Sequence, residues 1–393
     1  MVESDGLENR CTGFRTVGSN PTLSVIKYKD IFNMTKKIKV AILYGGKSAE
    51  HSVSLESARN VVRAIDKDKY DIVLIGITKT GEWFLQDIKY FLENKSASRP
   101  IRTTTDRVIF LPQSNGEIYN ITNPSKKEIV DIVFPVLHGT YGEDGSIQGL
   151  LRIANVPFVG SSVLSSAICM DKDVTKRLLR DAGIPIVDYI AYSNITRVNN
   201  DEILFKFGTK AFIKPADSGS SIGTSKINNS VTLTVNIKKA FKYGKKVLIE
   251  ELIEGREIEC GVIGNKVPKA SCLGEIIPND EYYSYEAKYI KKDGAKIIIP
   301  ADIDKEKSDE IRFMARKAYE VLGCEGFARV DFFLLKDGRV FVNEVNTIPG
   351  FTSISMFPKL WEESGMPYSK VIDRLITLGL ENFYKERAIS LNY

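Results

Sequence analysis

Residues Asp331–Phe351 read DFFLLKDGRVFVNEVNTIPGF. Two apolar runs flank Asp337-Gly338, the strongest short-range signal for a β-hairpin. A two-residue loop there sets Lys336 opposite Arg339. Counting outward, it sets Asp331 opposite Glu344 and Arg329 opposite Asn346. Side chains alternate with period two, so these four share one face. Carboxylates directly opposite each other destabilise a bare sheet; a divalent cation between them reverses the sign. Two carboxylates and an amide oxygen suit a hard ion such as Mg²⁺, with phosphate oxygens filling the remaining positions. The competing reading is the exposed polar face of an edge hairpin. A one-residue shift at the turn alone would undo the pairing.

Working outward, the 393 residues are enough for two or three domains with buried cores. A hydrophobic share of 43% and a charged share of 27% are ordinary for a globular protein. Net charge is +5, but lysines and carboxylates are interspersed without a long basic block, which argues against nucleic-acid binding. No run of 18 apolar residues marks a membrane span. Cys11, Cys169, Cys260, Cys272 and Cys324 lack metal-type spacing and read as reduced thiols of a cytoplasmic protein. Only His51 and His138 occur, which excludes a histidine-rich metal centre.

The first 33 residues have no amphipathic period and balance four basic against four acidic side chains. The stretch resembles translation through a transfer-RNA gene. Residues 1–33 are therefore expected to be a disordered or mis-assigned extension, with Met34 as the start. From there strand, helix and strand alternate (KIKVAILYGG, SLESARNVVRAID, DIVLIGIT, DIVFPVLHG), which implies a parallel sheet in a first α/β domain over 34–171. RVIFLPQSNGEIYNI reads as a hairpin inserted into it. A helix over Asp171–Gly183, then KAFIKPADSGSSIGTSKI and KKVLIEELIEG, make a smaller α+β unit over 172–257. The remainder, 258–393, carries a helix near Ser308–Gly323, the opening hairpin and a C-terminal helix near Lys370–Arg387.

Several motifs fall where ligands bind. Gly45 and Gly46 end the first strand and permit close backbone approach; Glu50, just before the next helix, could hold an ammonium group. The glycines do not form GxGxxG, so a dinucleotide is not expected. His138 sits at a strand end before a glycine-rich turn. Lys214 ends a strand before a loop of small residues, with Ser220 and Ser221, whose N–H groups and hydroxyls can wrap phosphates. It is not a P-loop. Backbone of Glu250, Glu251, Leu252 and Ile253 could read an adenine edge, and Glu257 could take ribose hydroxyls. With Lys172 and the hairpin, these form a nucleotide site without a P-loop.

At this point the sequence resembles the D-alanine–D-alanine ligases of the ATP-grasp superfamily. The resemblance rests on GGKSAEHSVSL, LHGTYGEDGSIQG, MDK, KPADSGSSIG, YSYEAKY, ARVDFF and NEVNTIPGFTSIS, in the family's order over 38–385. It implies α/β and α+β structure in a three-domain ATP-grasp architecture, with an N-terminal Rossmann-like parallel-sheet domain. It further implies ATP-dependent joining of two D-alanines through an acyl phosphate for peptidoglycan synthesis, and a homodimer.

Residue by residue, the resemblance implies two Mg²⁺ ions (Mn²⁺ possible in their place) on Asp331, Glu344 and Asn346, with Glu344 bridging both. Arg329 and the Gly350 N–H would stabilise the oxyanion; Lys172 and Lys214 would neutralise phosphates. Glu50 would hold the first ammonium, with His138 near that substrate's carboxylate, while Lys288 and Ser355 would take the second carboxylate. Ser220, Tyr289 and Glu50 would join a closing loop to the first domain. Tyr289 adds no charge at the second site, which favours D-alanine over D-lactate there. Glu251 and Met356 stand where many members have lysine and leucine. A D-alanyl-D-lactate or D-alanyl-D-serine ligase is the nearest rival, and an inactive nucleotide-binding regulator the rival from another class. The latter predicts loss of Arg329 or a metal ligand, and all are present.

Overall fold

Strand β1 (Ile38–Gly45) is almost uninterruptedly apolar because it is sandwiched in the middle of a sheet: Val40, Ala41, Ile42 and Leu43 are fully buried. The structure is a computed structural model that describes residues 36–93, 101–278 and 295–388. Residues 1–33 with Met34, and Lys288 and Tyr289, lie outside the described residues. Helix α1 (His51–Ala64) connects β1 to β2 (Tyr70–Ile77), which runs parallel to it. Strand β3 (Trp83–Gln86) folds back on β2, and α2 (Ile88–Glu93) follows. Strands β4 (Val108–Phe110), β5 (Glu117–Asn120) and β6 (Lys127–Ile129) form a small antiparallel sheet, the insertion expected around Asn115-Gly116. Strand β7 (Ile132–Val136) pairs parallel with β1, giving the order β3-β2-β1-β7, and α3 (Ser146–Ile153) follows.

Helix α4 (Val163–Met170) leads directly into α5 (Lys172–Asp181). Asp171 caps α5 by accepting from the N–H groups of Asp173 and Val174. Strand β8 (Tyr189–Tyr192), α6 (Asn200–Phe207), β9 (Ala211–Pro215), β10 (Ser225–Ile227), α7 (Leu233–Ala240) and β11 (Val247–Glu251) build an antiparallel sheet of order β10-β9-β11-β8. Its core takes Ile203 of α6 and Leu233 and Ile237 of α7.

A third sheet, of order β14-β13-β12-β15-β16, contains β12 (Arg256–Ile263), β13 (Lys269–Pro278), β14 (Ala295–Ile298), β15 (Phe327–Leu334) and β16 (Val340–Asn346). Helix α8 (Lys305–Val321) packs on it through Ile311, Ala315 and Ala318. Leu179 of α5 and the following Ile184 are buried in this same core, with Val330 and Val342. Helices α9 (Met356–Glu363) and α10 (Tyr368–Arg387) close the chain.

The hairpin corrects one expectation and keeps the consequence. Its loop has three residues, not two: Leu335 N–H bonds Arg339 O (2.9 Å), so Lys336 does not face Arg339, and Gly338 takes a φ of +86°. This left-handed glycine is the one a three-residue hairpin loop requires. The loop shifts the register by one, so Leu334 pairs with Val340 and Phe332 with Val342. A bulge at Asn343 shifts it back, and Asp331 faces Glu344 while Arg329 faces Asn346. The two irregularities cancel.

Phe351, just beyond the hairpin, is fully buried where the first and third sheets meet. Its ring lies 6.0 Å from Phe134 of β7, 5.8 Å from Phe327 of β15, 5.8 Å from Phe357 of α9 and 6.1 Å from Tyr368 of α10.

Candidate active site

The second and third sheets enclose a cleft of about 480 Å³. One wall carries Lys172, Lys214, Ser218, Ser220 and Ser221; residues 250–257 form the back, including Glu250, Glu251, Leu252, Ile253 and Glu257; Asn343 and Glu344 stand at the hairpin end. The structure therefore brings together every residue that the sequence assigned to a nucleotide. Ser220 and Ser221 adopt φ of +50° and +57°, left-handed values that cost non-glycine residues energy. The strain sits in the small-residue loop that faces the cleft.

The cations in the cleft are fixed by carboxylates. Glu250 lies between Lys214 (2.9 Å) and Lys176 (3.2 Å), all three nearly fully buried. Burial alone would raise the Glu250 carboxyl, but the two ammonium groups outweigh it and hold its pKa below the ordinary value. Burial pushes the Lys176 ammonium down to about 8 despite Glu250. Lys214 also donates to Asn343 Oδ1 (3.1 Å), and Lys172 donates to Ser218 O (2.8 Å) with Glu344 3.7 Å away. Asn343 and Lys176 were not picked out from sequence. For Asn343 a signal existed: two successive polar residues, Asn343-Glu344, separate the inward-facing Val342 and Val345, which marks the bulge.

On the hairpin face, Arg329 Nε and Nη2 grip both oxygens of Asp331 at 2.7 Å, and Arg329 also pairs with Glu259 at 2.9 Å. Asn346 Nδ2 donates to Asp331 Oδ2 (3.0 Å). The donor set is two carboxylates and an amide, all partly exposed, and its chemistry fits a hard divalent cation once Asn346 presents its oxygen. Among the described residues no group of three or more His, Cys, Asp and Glu side chains gathers as a metal site. The third ligand here would be an amide.

Side chains of α1 and of the loop after β7 reach this floor, among them Asn60, whose Nδ2 donates to Phe351 O (3.1 Å). Ser220 Oγ donates to Glu50, linking the serine loop to the start of α1. His138 engages the protein with both ring nitrogens: Nδ1 lies 3.0 Å from Ile348 O and Nε2 3.0 Å from Ser57 Oγ. Burial pushes the imidazole down to about 4, so at neutral pH the ring is uncharged. Ser57 Oγ in turn accepts from Phe351 N–H (3.1 Å). Glu143 accepts from Gly139 N–H (2.8 Å) and Ile348 N–H (3.1 Å); burial and then repulsion from Glu50 push its carboxyl up to about 8. Sequence reading missed both Ser57 and Glu143. Asn60, His138, Ser57 and Glu143 thus pin residues 348–351, the loop that carries Gly350. A Cβ on Gly350 would come within 2.7 Å of Ser355 Oγ, so a larger residue there would force that hydroxyl to turn away. Ser355 precedes α9, and its Oγ accepts from Thr352 N–H (3.0 Å).

Comparison with known proteins places this geometry in a family. Residues 39–161 match the family described as D-ala D-ala ligase N-terminus, and 178–377 that described as D-ala D-ala ligase C-terminus. Over 364 residues the chain is 49% identical to the D-alanine--D-alanine ligase A of Escherichia coli O6:H1, covering 90% of this chain and 99% of that relative. The D-alanine-D-alanine ligase structure from Coxiella burnetii is similar at TM-score 0.79 and 36% identity, covering 90% of this chain and 97% of that one. The VanG D-Ala:D-Ser ligase from Enterococcus faecalis is similar at TM-score 0.78 and 37% identity, covering 88% and 100% respectively. With both family matches lying in order along most of its length, the chain belongs to the D-alanine–D-alanine ligase family, and its fold is the ATP-grasp fold.

Proposed function

We propose that the chain catalyses ATP-dependent joining of two D-alanines to D-alanyl-D-alanine through an acyl phosphate, supplying a peptide precursor for cell-wall peptidoglycan. One observation carries the reading. The cleft of Lys172, Lys214 and the serine loop opens onto Glu344 of the hairpin face, and Glu50 of the first domain reaches that same serine loop. Nucleotide phosphates and an amino acid carboxylate can meet there.

In this reading, backbone at Glu250–Ile253 takes the adenine edge, Glu257 the ribose, and Lys172, Lys214 and Ser221 the phosphates. Asp331, Glu344 and Asn346 would hold two Mg²⁺ ions, with Mn²⁺ able to replace them; bound there, the metal would neutralise β- and γ-phosphate charge. Glu50 orients the first D-alanine through its ammonium, with His138 near its carboxylate. Because both His138 nitrogens have protein partners, it would act mainly by holding the 348–351 loop. Arg329 and the Gly350 N–H stabilise the oxyanion that forms when the second amine attacks. Ser355, with Lys288, receives the second carboxylate. The Ser220–Glu50 contact, with Tyr289, excludes water that would hydrolyse the acyl phosphate.

The 34–171, 172–257 and 258–393 divisions, a homodimer and a cytoplasmic location complete the proposal on the strength of the family. No described helix is long and apolar enough to cross a membrane. D-Alanine at the second position is favoured over D-serine or D-lactate by the relative at 49% identity, named a D-alanine ligase. The test is phosphate release with D-alanine, D-serine and D-lactate, with product masses. Release that depends on D-alanine, with the D-alanyl-D-alanine mass, supports the reading; release only with D-lactate or D-serine in the second position overturns it.

A further inference from the structure

Behind the nucleotide cleft lies a small cavity of about 50 Å³, lined among others by Glu50, Glu143, Lys172, Ser220, Glu344 and Asn346. It is large enough for an ammonium group. Two carboxylates from the first domain, Glu50 and Glu143, converge on it. One Glu143 oxygen holds Gly139 N–H (2.8 Å), in the loop that abuts Glu50. The other reaches the third domain and holds Ile348 N–H (3.1 Å), two residues before Gly350. A single side chain therefore ties the wall of the ammonium pocket to the oxyanion loop.

We propose that Glu143 is a positioning residue for the first D-alanine: the substrate's ammonium stabilises the Glu50–Glu143 pair, and Glu143 then holds the Gly350 loop in register through Ile348 N–H. The inference rests on the ligase reading and deepens it. Burial and repulsion from Glu50 hold the Glu143 carboxyl high, at about 8, so the cavity by itself disfavours the doubly charged pair; a cation placed between the two removes that repulsion and favours it. A carboxylate is needed because two N–H donors must be met by two acceptors. Glutamine offers one oxygen and one NH₂, so Glu143→Gln can satisfy Gly139 or Ile348 but not both. First-substrate recognition and oxyanion geometry would then be lost together, while the nucleotide cleft is untouched.

The test is steady-state kinetics of the full-length wild type, Glu143→Gln and Glu143→Asp, with ATP, Mg²⁺ and D-alanine, alongside thermal melting of each. Glu143→Gln is expected to raise KM for the first D-alanine and lower kcat, each about 10- to 100-fold, and to leave KM for ATP within about twofold. Its melting temperature should stay near that of the wild type, and Glu143→Asp should recover part of the loss. Titrating D-alanine calorimetrically into ADP-loaded Glu143→Gln should show the same weakening without turnover. A wild-type first-substrate KM and kcat in Glu143→Gln would overturn the proposal. So would a loss spread equally over ATP and both D-alanines, or one accompanied by a large drop in melting temperature. Formation of D-alanyl-D-alanine by the wild type in the same assay tests the ligase reading separately.

Discussion

Removing the charge of Glu344 separates the roles this residue can play in folding from those it can play in chemistry. Glu344 faces Asp331 across the hairpin and lies 3.7 Å from the Lys172 ammonium. Directly opposed carboxylates cost about 0.2–1 kcal/mol. A partly solvated pair such as Lys172–Glu344 returns about 0–1 kcal/mol. Asp331 is already neutralised by Arg329. The two small quantities oppose, so Glu344→Gln should change stability by no more than about 1 kcal/mol, a melting shift of at most about 2–4 °C. Turnover should respond very differently. If Glu344 anchors the charge that neutralises the transferring phosphate, its loss should lower kcat about 10²- to 10³-fold, or about 2.7–4 kcal/mol of barrier. Nucleotide affinity should weaken less, because Lys172, Lys214 and the 250–257 backbone remain. Melting curves, nucleotide titration and coupled phosphate release would be measured on the same preparations. Near-normal kcat would refute the metal-site reading; a kcat loss that merely tracked a collapse in stability would assign Glu344 to the fold.

Arg329→Ala should lower kcat with little change in ATP affinity, since its oxyanion contact forms in the transition state; a defect confined to ATP binding would move Arg329 to the nucleotide. Phe351→Ala should cost about 3–5 kcal/mol, because the ring is fully buried among four others and the cavity spans two sheets. Urea unfolding followed by tryptophan fluorescence checks this, and a change below about 1 kcal/mol would contradict it. His138, pushed down to about 4 by burial, remains neutral in the folded protein at a pH where the unfolded chain takes up a proton. Its contribution to stability is therefore complete above pH 6.5 and is lost as pH falls toward 4, by up to about 3 kcal/mol. Between those values wild-type stability should fall more steeply than that of His138→Gln, and parallel slopes would exclude the effect.

Much of the site was legible because its elements have strong local signals. Asp337-Gly338 marked the hairpin, glycine-rich stretches marked strand ends, and period-two alternation assigned faces. The turn length was not legible: two- and three-residue loops share the Asp-Gly signature, and only strand pairing reveals which one forms. Asn343 shows how the error cancelled, since its bulge restored the Asp331–Glu344 pair. Glu143, Ser57 and Lys176 escaped for a different reason. Their partners, Ile348, Phe351 and Glu250, lie 205, 294 and 74 positions away in the chain, so no periodicity could link them. The packing of Leu179 and Ile184 on the third sheet was likewise invisible, because an amphipathic helix announces an apolar face but not which core receives it.

The most direct test of the whole account is mass analysis of the product formed from ATP, Mg²⁺ and an equimolar mixture of D-alanine, D-serine and D-lactate at neutral pH. D-Alanyl-D-alanine should be the main product, with one phosphate released per dipeptide, and both should be lost on chelating the metal. Mainly D-alanyl-D-lactate or D-alanyl-D-serine, or phosphate release without a dipeptide, would contradict it.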